Sequence, residues 1–270
     1  MKFRKPKIRI LRHLARTGGT LITKCLGSMD GVVVLSEVHP ANLAVTNPLM
    51  QATDWFGLVN KKQISRWKRL DKERGGPTMQ QFVSVCETSA TARGEALVLR
   101  DWSHLDYYGL PYVKASMGTG LRDSIGDAYE ILEACTVRNP VDQYVSLGKL
   151  PFVEESVGLD WDLFLDGNLA FAQYAADCGF VRYEDLTRDP DTELGKLCTM
   201  LEIEFDAGYA ERWATYRFVT GDTPLIGGSE GSRSSVIRPL ERRHVDELLL
   251  GRFRADDRYL KTCELLGYEI

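Results

Sequence analysis

The run Lys7-Ile8-Arg9-Ile10-Leu11-Arg12, followed by Arg16-Thr17-Gly18-Gly19-Thr20 and then Leu21-Ile22-Thr23-Lys24-Cys25-Leu26, decides the fold class. The first piece reads as a strand and the second as a glycine turn. The third reads as a helix that closes near Gly27. A strand, a glycine turn and a helix in that order aim backbone N–H groups and the positive end of a helix dipole at one point, where an anion can sit. Glycine lets the backbone come close to that anion. Arg16 and the hydroxyls of Thr17 and Thr20 add donors, so the loop from Arg16 through Gly18 and Gly19 to Thr20 and Leu21 is the first candidate binding site. The plainer reading is a turn in front of a packed helix. The stretch is not a Walker loop, because Gly-x-x-x-x-Gly-Lys-Ser/Thr is absent. The hydroxyl that holds magnesium on a nucleoside triphosphate therefore has no counterpart in it.

Outward from this unit, strand-like and helix-like stretches alternate. Val32 to Leu35, Ala96 to Leu99, Ile131 to Val137 and Gly179 to Tyr183 read as further strands. Residues 61–74 and 78–92 read as helices split by Gly75-Gly76-Pro77. Pro140 opens another helix, at a position where proline is tolerated. Residues 160–177 and Pro190 to Leu201 are helical, and a last helical region ends near Leu266. Residues 40–60 read as a long loop, 104–128 as an irregular insertion and 220–240 as a Gly-, Ser- and Arg-rich loop. The expectation is an α/β fold: one domain over residues 1–270, with a central parallel sheet flanked by helices and an anion loop after strand one. Ligands in such sheets bind beyond the carboxyl ends of the strands, and the chemistry-bearing motifs fall there.

The second of these motifs is Thr136-Val137-Arg138-Asn139-Pro140-Val141-Asp142-Gln143-Tyr144-Val145-Ser146. Arg138 ends a strand, and Ser146 lies on the helix that Pro140 opens. A strand-end guanidinium and a helix hydroxyl can converge on a phosphate, which the planar fork of arginine suits. The plainer reading is a structural Arg-x-Pro corner and a surface serine.

Together the two motifs resemble the sulfotransferases that use 3'-phosphoadenosine 5'-phosphosulfate (PAPS). Residues 11–26 are similar to the family's 5'-phosphosulfate loop, with Arg16 at its basic position and Gly18-Gly19-Thr20 at its turn. Residues 136–147 are similar to its 3'-phosphate segment, in which a serine follows the arginine by eight residues, as Ser146 follows Arg138. Val181-Arg182-Tyr183-Glu184-Asp185-Leu186, with Asp189-Pro190 and Leu201, matches a further signature. Its acidic residues are ordinary helix-capping chemistry. Family members often carry a late basic glycine loop over the adenosine. Gly231, Ser232 and Arg233 fit it best, in a run that continues to Arg238 and Arg242-Arg243, although the Arg-Lys-Gly form of the cytosolic branch is missing. The resemblance implies the P-loop-like sulfotransferase fold, PAPS as co-substrate with no metal, and sulfuryl transfer to an alcohol or amine.

Such transfer needs a base for the acceptor proton. Glu37 and His39 follow the second strand, and His104 follows the third. Glu37 is preferred, because the second strand is expected next to the anion loop; His39 and His104 remain open. Arg16 is expected to face solvent and to stabilise the leaving phosphate. Two other readings stay in play: a P-loop kinase, and a non-catalytic nucleotide- or glycan-binding module.

Composition narrows the setting. A chain of 270 residues with 44% hydrophobic content can bury a full core, and a net charge of −4 argues against nucleic acid as partner. No apolar run is long enough for a membrane span. The six cysteines are scattered with no close pair, and the four histidines show no metal-ligand spacing. These features point to a cytoplasmic protein; the small-molecule or carbohydrate acceptor is what the resemblance implies. Trp55, Phe56, Trp67, Trp102, Tyr107, Tyr108 and Tyr112 are candidates to cover the acceptor pocket.

Overall fold

Parallel strands buried on both faces need near-continuous apolar runs. The runs Val32–Leu35 and Leu97–Leu99 meet this need, and the chain forms five strands: β1 (Lys7–His13), β2 (Val32–Val38), β3 (Ala96–Asp101), β4 (Glu130–Val137) and β5 (Phe180–Arg182). In this computed structural model, which describes residues 5–42, 47–70, 76–110, 113–150, 160–221 and 236–270, they form one sheet in the order β2-β3-β1-β4-β5, with every pair parallel. The order reverses at β1: the next two strands lie on one side of it and the last two on the other. Such a switch point is where doubly wound sheets bind their ligands.

Helices cover both faces. They are α1 (Gly19–Gly27), α2 (Lys61–Leu70), α3 (Met79–Ala92), α4 (His104–Tyr108), α5 (Gly120–Ile125) and α6 (Pro140–Leu147). After them come α7 (Trp161–Cys178), α8 (Tyr183–Arg188), α9 (Pro190–Met200), α10 (Glu247–Arg254) and α11 (Asp257–Leu266). On one face Leu11, Val34, Val98 and Ala134 pack with Ile22 and Leu26 of α1 and Leu194 and Leu197 of α9. On the other, Ile8, Ile10 and Leu99 pack with Phe82 of α3 and Leu121 of α5, while Cys135 and Val137 meet Phe164 and Phe171 of α7. The alternation of Ile10 and Leu11 between faces is the period-2 pattern of a strand. Among the described residues no helix is long and apolar enough to cross a membrane.

Four expectations change. Residues 40–60 are not all loop: Pro48–Met50 and Gln51–Trp55 form helical turns, the latter with π-type spacing. The stretch 104–128 contains α4 and α5, whose short lengths leave little periodicity to read. Tyr183 opens α8 instead of ending β5. Finally, β2, expected next to the anion loop, is separated from β1 by β3. Cys135 and Cys178, distant in sequence, have sulfurs 3.2 Å apart, and all six cysteines are free thiols.

The carboxyl edge of the sheet is tied together by a buried ion network. Arg12 of β1 donates to Asp101 of β3 at 2.6 Å and to Glu133 of β4 at 2.8 Å, with its side chain and that of Asp101 wholly buried. Ser103 donates to Asp101 at 2.8 Å, and the Tyr174 hydroxyl donates to Glu133 at 2.6 Å. Burial opposes the charge on Arg12, but Asp101 and Glu133 outweigh it and raise its pKa. Breaking a buried pair on one side strands a charge, whereas apolar replacement of both partners does not. Asp101→Ala is therefore expected to cost about 3–5 kcal/mol in denaturant unfolding. Arg12→Met combined with Asp101→Leu is expected to recover most of that loss, because Glu133 keeps Arg122 and Tyr174 as partners. A single variant that costs nothing measurable would remove the network from the account of stability.

Candidate active site

The anion loop is packed so that only glycine serves at two consecutive positions. Gly18 is the N-cap of α1, with φ of 89°, and a Cβ there would lie 2.5 Å from the Tyr183 ring. A Cβ on Gly19 would lie 2.5 Å from the His13 ring. The loop thus rests on β1 below and is walled by the start of α8. The first intrahelical bond of α1 runs from Ile22 N–H to Gly18 carbonyl at 3.1 Å. The N–H groups before it have no intrahelical acceptor, and Gly18 brings no side chain to cap them.

Arg16, also in the left-handed region with φ of 70°, is not the solvent-facing residue expected. It is half-buried, and its Nε donates to Ser146 Oγ at 2.9 Å. Arg138 in turn donates to the Arg16 carbonyl at 3.1 Å and places its guanidinium 4.8 Å from the centre of the Tyr183 ring. The three charged or polar residues singled out from two separate motifs therefore meet at the switch point. Burial lowers the Arg16 pKa, and Arg138 and Arg243 lower it further. Like charges gathered in this way favour a bound anion, which offsets their mutual repulsion.

Supporting residues lock the two loops together. Asn139 caps α6 through the N–H groups of Val141 and Asp142, at 3.1 and 3.3 Å. Its own N–H donates to Glu184 at 3.0 Å, so Glu184 braces the loop before α6 and does not supply the expected helix cap; α8 has no side-chain cap. Gln143 donates to the Ala15 carbonyl at 2.9 Å. Arg242 binds Asp142 at 3.0 Å and lays the C-terminal segment along α6. Thr17 turns inward: its hydroxyl donates to the Leu14 carbonyl at 2.8 Å, so it braces the turn and its proton does not face outward. Thr20 remains partly exposed, and Leu21 packs against the apolar layer beneath α1. Gly231, Ser232 and Arg233 lie outside the described residues.

The candidate bases are separated by their surroundings. Glu37 sits inside β2, not after it, at a register shift between Leu35 and Val38 and with φ of 52°. A bulge of this kind re-aims a side chain. It is held by Gln51, which is fully buried and bonds Ser36 twice, accepting from its N–H at 2.7 Å and donating to its carbonyl at 2.9 Å. The Glu37 carboxylate reaches the start of α1 even though β2 is not next to β1. A Cβ built on Gly221 would lie 3.4 Å from both Glu37 Oε1 and Thr20 Oγ1. Both ring nitrogens of His39 are engaged: Nε2 with Asp106 at 3.3 Å, and Nδ1 accepting from Ala41 N–H at 3.1 Å. His104 is buried edge-on to Trp102, and burial, then His13 and Arg100, push its pKa well below 6.5. Of the three, Glu37 alone pairs a partly exposed side chain with a position beside the loop. Among the described residues no group of His, Cys, Asp and Glu is placed to hold a metal.

The fold recurs in solved structures. The sulfotransferase domain of the Synechococcus PCC 7002 olefin synthase matches with a TM-score of 0.59 and 15% identity, over 100% of this chain and 98% of that one. The chain has the sulfotransferase fold. The sulfotransferase domain from the curacin biosynthetic pathway matches with a TM-score of 0.63 and 17% identity, over 99% of each chain. No protein-family model matches the sequence, and no curated protein sequence does. Within this sulfotransferase fold, sequence reasoning missed Tyr183 as a wall, His13 as a floor, Gln51 as a clamp and Arg243 as a third cation. His13 and Gln51 belong to no quoted motif; Tyr183 and Arg243 lie in quoted runs, but their packing against the loop and nearness to Arg16 depend on long-range folding.

His13 gives a pH dependence with a definite sign. Burial, aided by Arg100, lowers its pKa from 6.5 to about 3. Between those values the unfolded chain takes up a proton that the folded chain refuses, so stability falls as pH drops through the window. His13→Gln is expected to reduce the loss of unfolding free energy between pH 7 and pH 5 by about 2 kcal/mol, since one pKa unit is worth ~1.4 kcal/mol. Equal losses in the two proteins would show that His13 titrates normally.

Proposed function

We propose that the protein is a PAPS-dependent sulfotransferase acting on a hydroxyl or amine of a small-molecule or carbohydrate acceptor and releasing adenosine 3',5'-bisphosphate. The observation that carries this reading is the meeting of Arg16, Ser146 and Arg138 over the N-terminus of α1, where two separate anion motifs become one surface. The sulfotransferase fold supports it, although a fold by itself does not fix an activity.

The roles follow from position. The N–H groups at the start of α1 and the Arg16 guanidinium hold the phosphosulfate and favour the charge that grows on the departing phosphate. Arg138 and Ser146 hold the 3'-phosphate, with Arg243 adding charge nearby. Gly231, Ser232 and Arg233 are proposed to close over the adenosine. Glu37 takes the acceptor proton while the acceptor atom bonds to sulfur and the bridging S–O bond breaks on the opposite side. No step calls on a metal. A single functional domain over residues 1–270 and a cytoplasmic setting, in keeping with six free thiols, belong to the same proposal.

Calorimetry separates this reading from a kinase. Adenosine 3',5'-bisphosphate is expected to bind without magnesium, and Arg138→Ala to weaken it far more than it weakens adenosine 5'-phosphate, because only the former carries the group Arg138 is assigned to hold. Binding of ATP with magnesium in preference, or equal losses for both nucleotides, would overturn the assignment.

Catalysis separates it from a binding module. At saturating PAPS, Glu37→Gln is expected to lower kcat by at least about a hundredfold, the low end for general-base catalysis, with nucleotide affinity retained. His104→Asn and His39→Asn are expected to lose less. The same hundredfold loss in His104→Asn alone would move the base to the histidine.

A further inference from the structure

Arg100, at the carboxyl end of β3, is a full cation with 1% exposure, and the structural network does not need it. The neighbouring Asp101 already neutralises Arg12. Arg100 Nη2 instead lies 3.4 Å from Glu37 Oε1 and donates to the Thr220 hydroxyl at 2.9 Å and its carbonyl at 3.3 Å. Its Nε is buried without a hydrogen-bond partner. A buried charge this thinly paired is costly, and the fold keeps it directly behind the residue assigned as base.

The groups facing this point come from four elements. Glu37 comes from β2, His13 from β1 and His104 from α4, with Thr220 at the end of the segment that passes Thr20. His39 lies beyond His104 and is turned to Asp106. Burial and Arg100 keep His13 neutral, and burial, His13 and Arg100 do the same for His104. Glu37 is thus the carboxylate that Arg100 addresses.

We propose that Arg100 is a positioning residue for sulfuryl transfer, fixing the Glu37 carboxylate beside Thr20 and joining it through Thr220 to the segment that precedes the adenosine-side loop. This rests on the reading of Glu37 as the base. The Gln51 clamp sets the backbone of the bulge, and Arg100 sets the direction of the side chain.

The test uses Arg100→Gln, Arg100→Lys and Thr220→Val in the full chain. Removing a cation beside a carboxylate makes the carboxylate easier to protonate. In Arg100→Gln the acidic limb of the kcat profile should therefore move up, and kcat at neutral pH should fall roughly tenfold or more. The affinity for adenosine 3',5'-bisphosphate should stay within about twofold, a free-energy change well below that of one lost hydrogen bond. Arg100→Lys should return the limb toward its original position. Thr220→Val, which leaves the charge in place, should lower kcat without moving the limb. An unmoved limb in Arg100→Gln, or a loss of nucleotide affinity as large as the loss in kcat, overturns the proposal. If Arg100→Gln does not fold, Thr220→Val decides: the proposal falls if that variant has normal kcat. Failure of the sulfotransferase reading itself shows separately, as a wild-type protein that turns over no PAPS. In that case the Glu37 carboxyl titration by NMR, with and without Arg100, still tests the contact: a titration unchanged by the substitution overturns it.

Discussion

Arg12 has no exposed side-chain surface, and two strands bring carboxylates to it from either side. The geometry of the ligand-facing edge depends on this arrangement, because its neighbours in sequence carry the site. His13 follows Arg12 and forms the floor under Gly19. Arg100 precedes Asp101 and faces Glu37. Once Arg12 is locked between β3 and β4, both side chains are held at one height on the sheet, and strand pairing alone would hold them less tightly. Such a triad is weak evidence for net stability. Its value is in register: a slip of one residue would turn Arg12 out of its pair and reverse the faces of its neighbours.

On that edge the anion loop has little freedom. Gly18 and Gly19 are pressed against Tyr183 and His13, Ala15 is held by Gln143, and Arg16 is held by Ser146. The loop is therefore fixed in shape by contacts from β1, α6 and α8 before any ligand arrives. Preorganised donors of this kind avoid reorganisation during the reaction. The left-handed conformations of Arg16 and Glu37 fit the same account. Side chains other than glycine rarely adopt that region, and here it occurs at two residues whose direction matters to the chemistry.

Much of this was legible in the sequence, and the reasons differ between parts. The strand–turn–helix unit, Arg138 at a strand end and the helix opened by Pro140 are local signals, since each depends on chain neighbours. The strand order is not local, so no chain-neighbour signal shows that β3 lies between β1 and β2, although Glu37 still reaches the loop. The bulge at Glu37 was hidden, because Val32 to Leu35 reads as a plain apolar strand and the extension to Val38 depends on Gln51 filling the interrupted ladder. The helical turns at 48–55 and 104–108 are too short for periodicity to reveal. The sequence does not settle the direction of Thr17, because a hydroxyl in a loop can face ligand or backbone, and only the fold selects the inward one.

The edge of the sheet divides into two electrostatic halves that meet at Thr20. On the β4 side stand Arg16, Arg138 and Arg243, an environment suited to a multiply charged ligand. On the β2 side one buried guanidinium, Arg100, faces one carboxylate among imidazoles that burial keeps neutral. A cation has opposite effects on the two kinds of base: it favours a charged carboxylate and disfavours a protonated imidazole. With Arg100 in place, an imidazole that accepted a proton would create a second buried positive charge. A carboxylate that accepted one would instead leave Arg100 less paired, a smaller penalty when Thr220 shares its hydrogen bonding. Burial, with Arg100 adding to it, thus keeps His13 and His104 from taking up a proton, and under the proposed reading Glu37 is the group beside Thr20 left to serve as base.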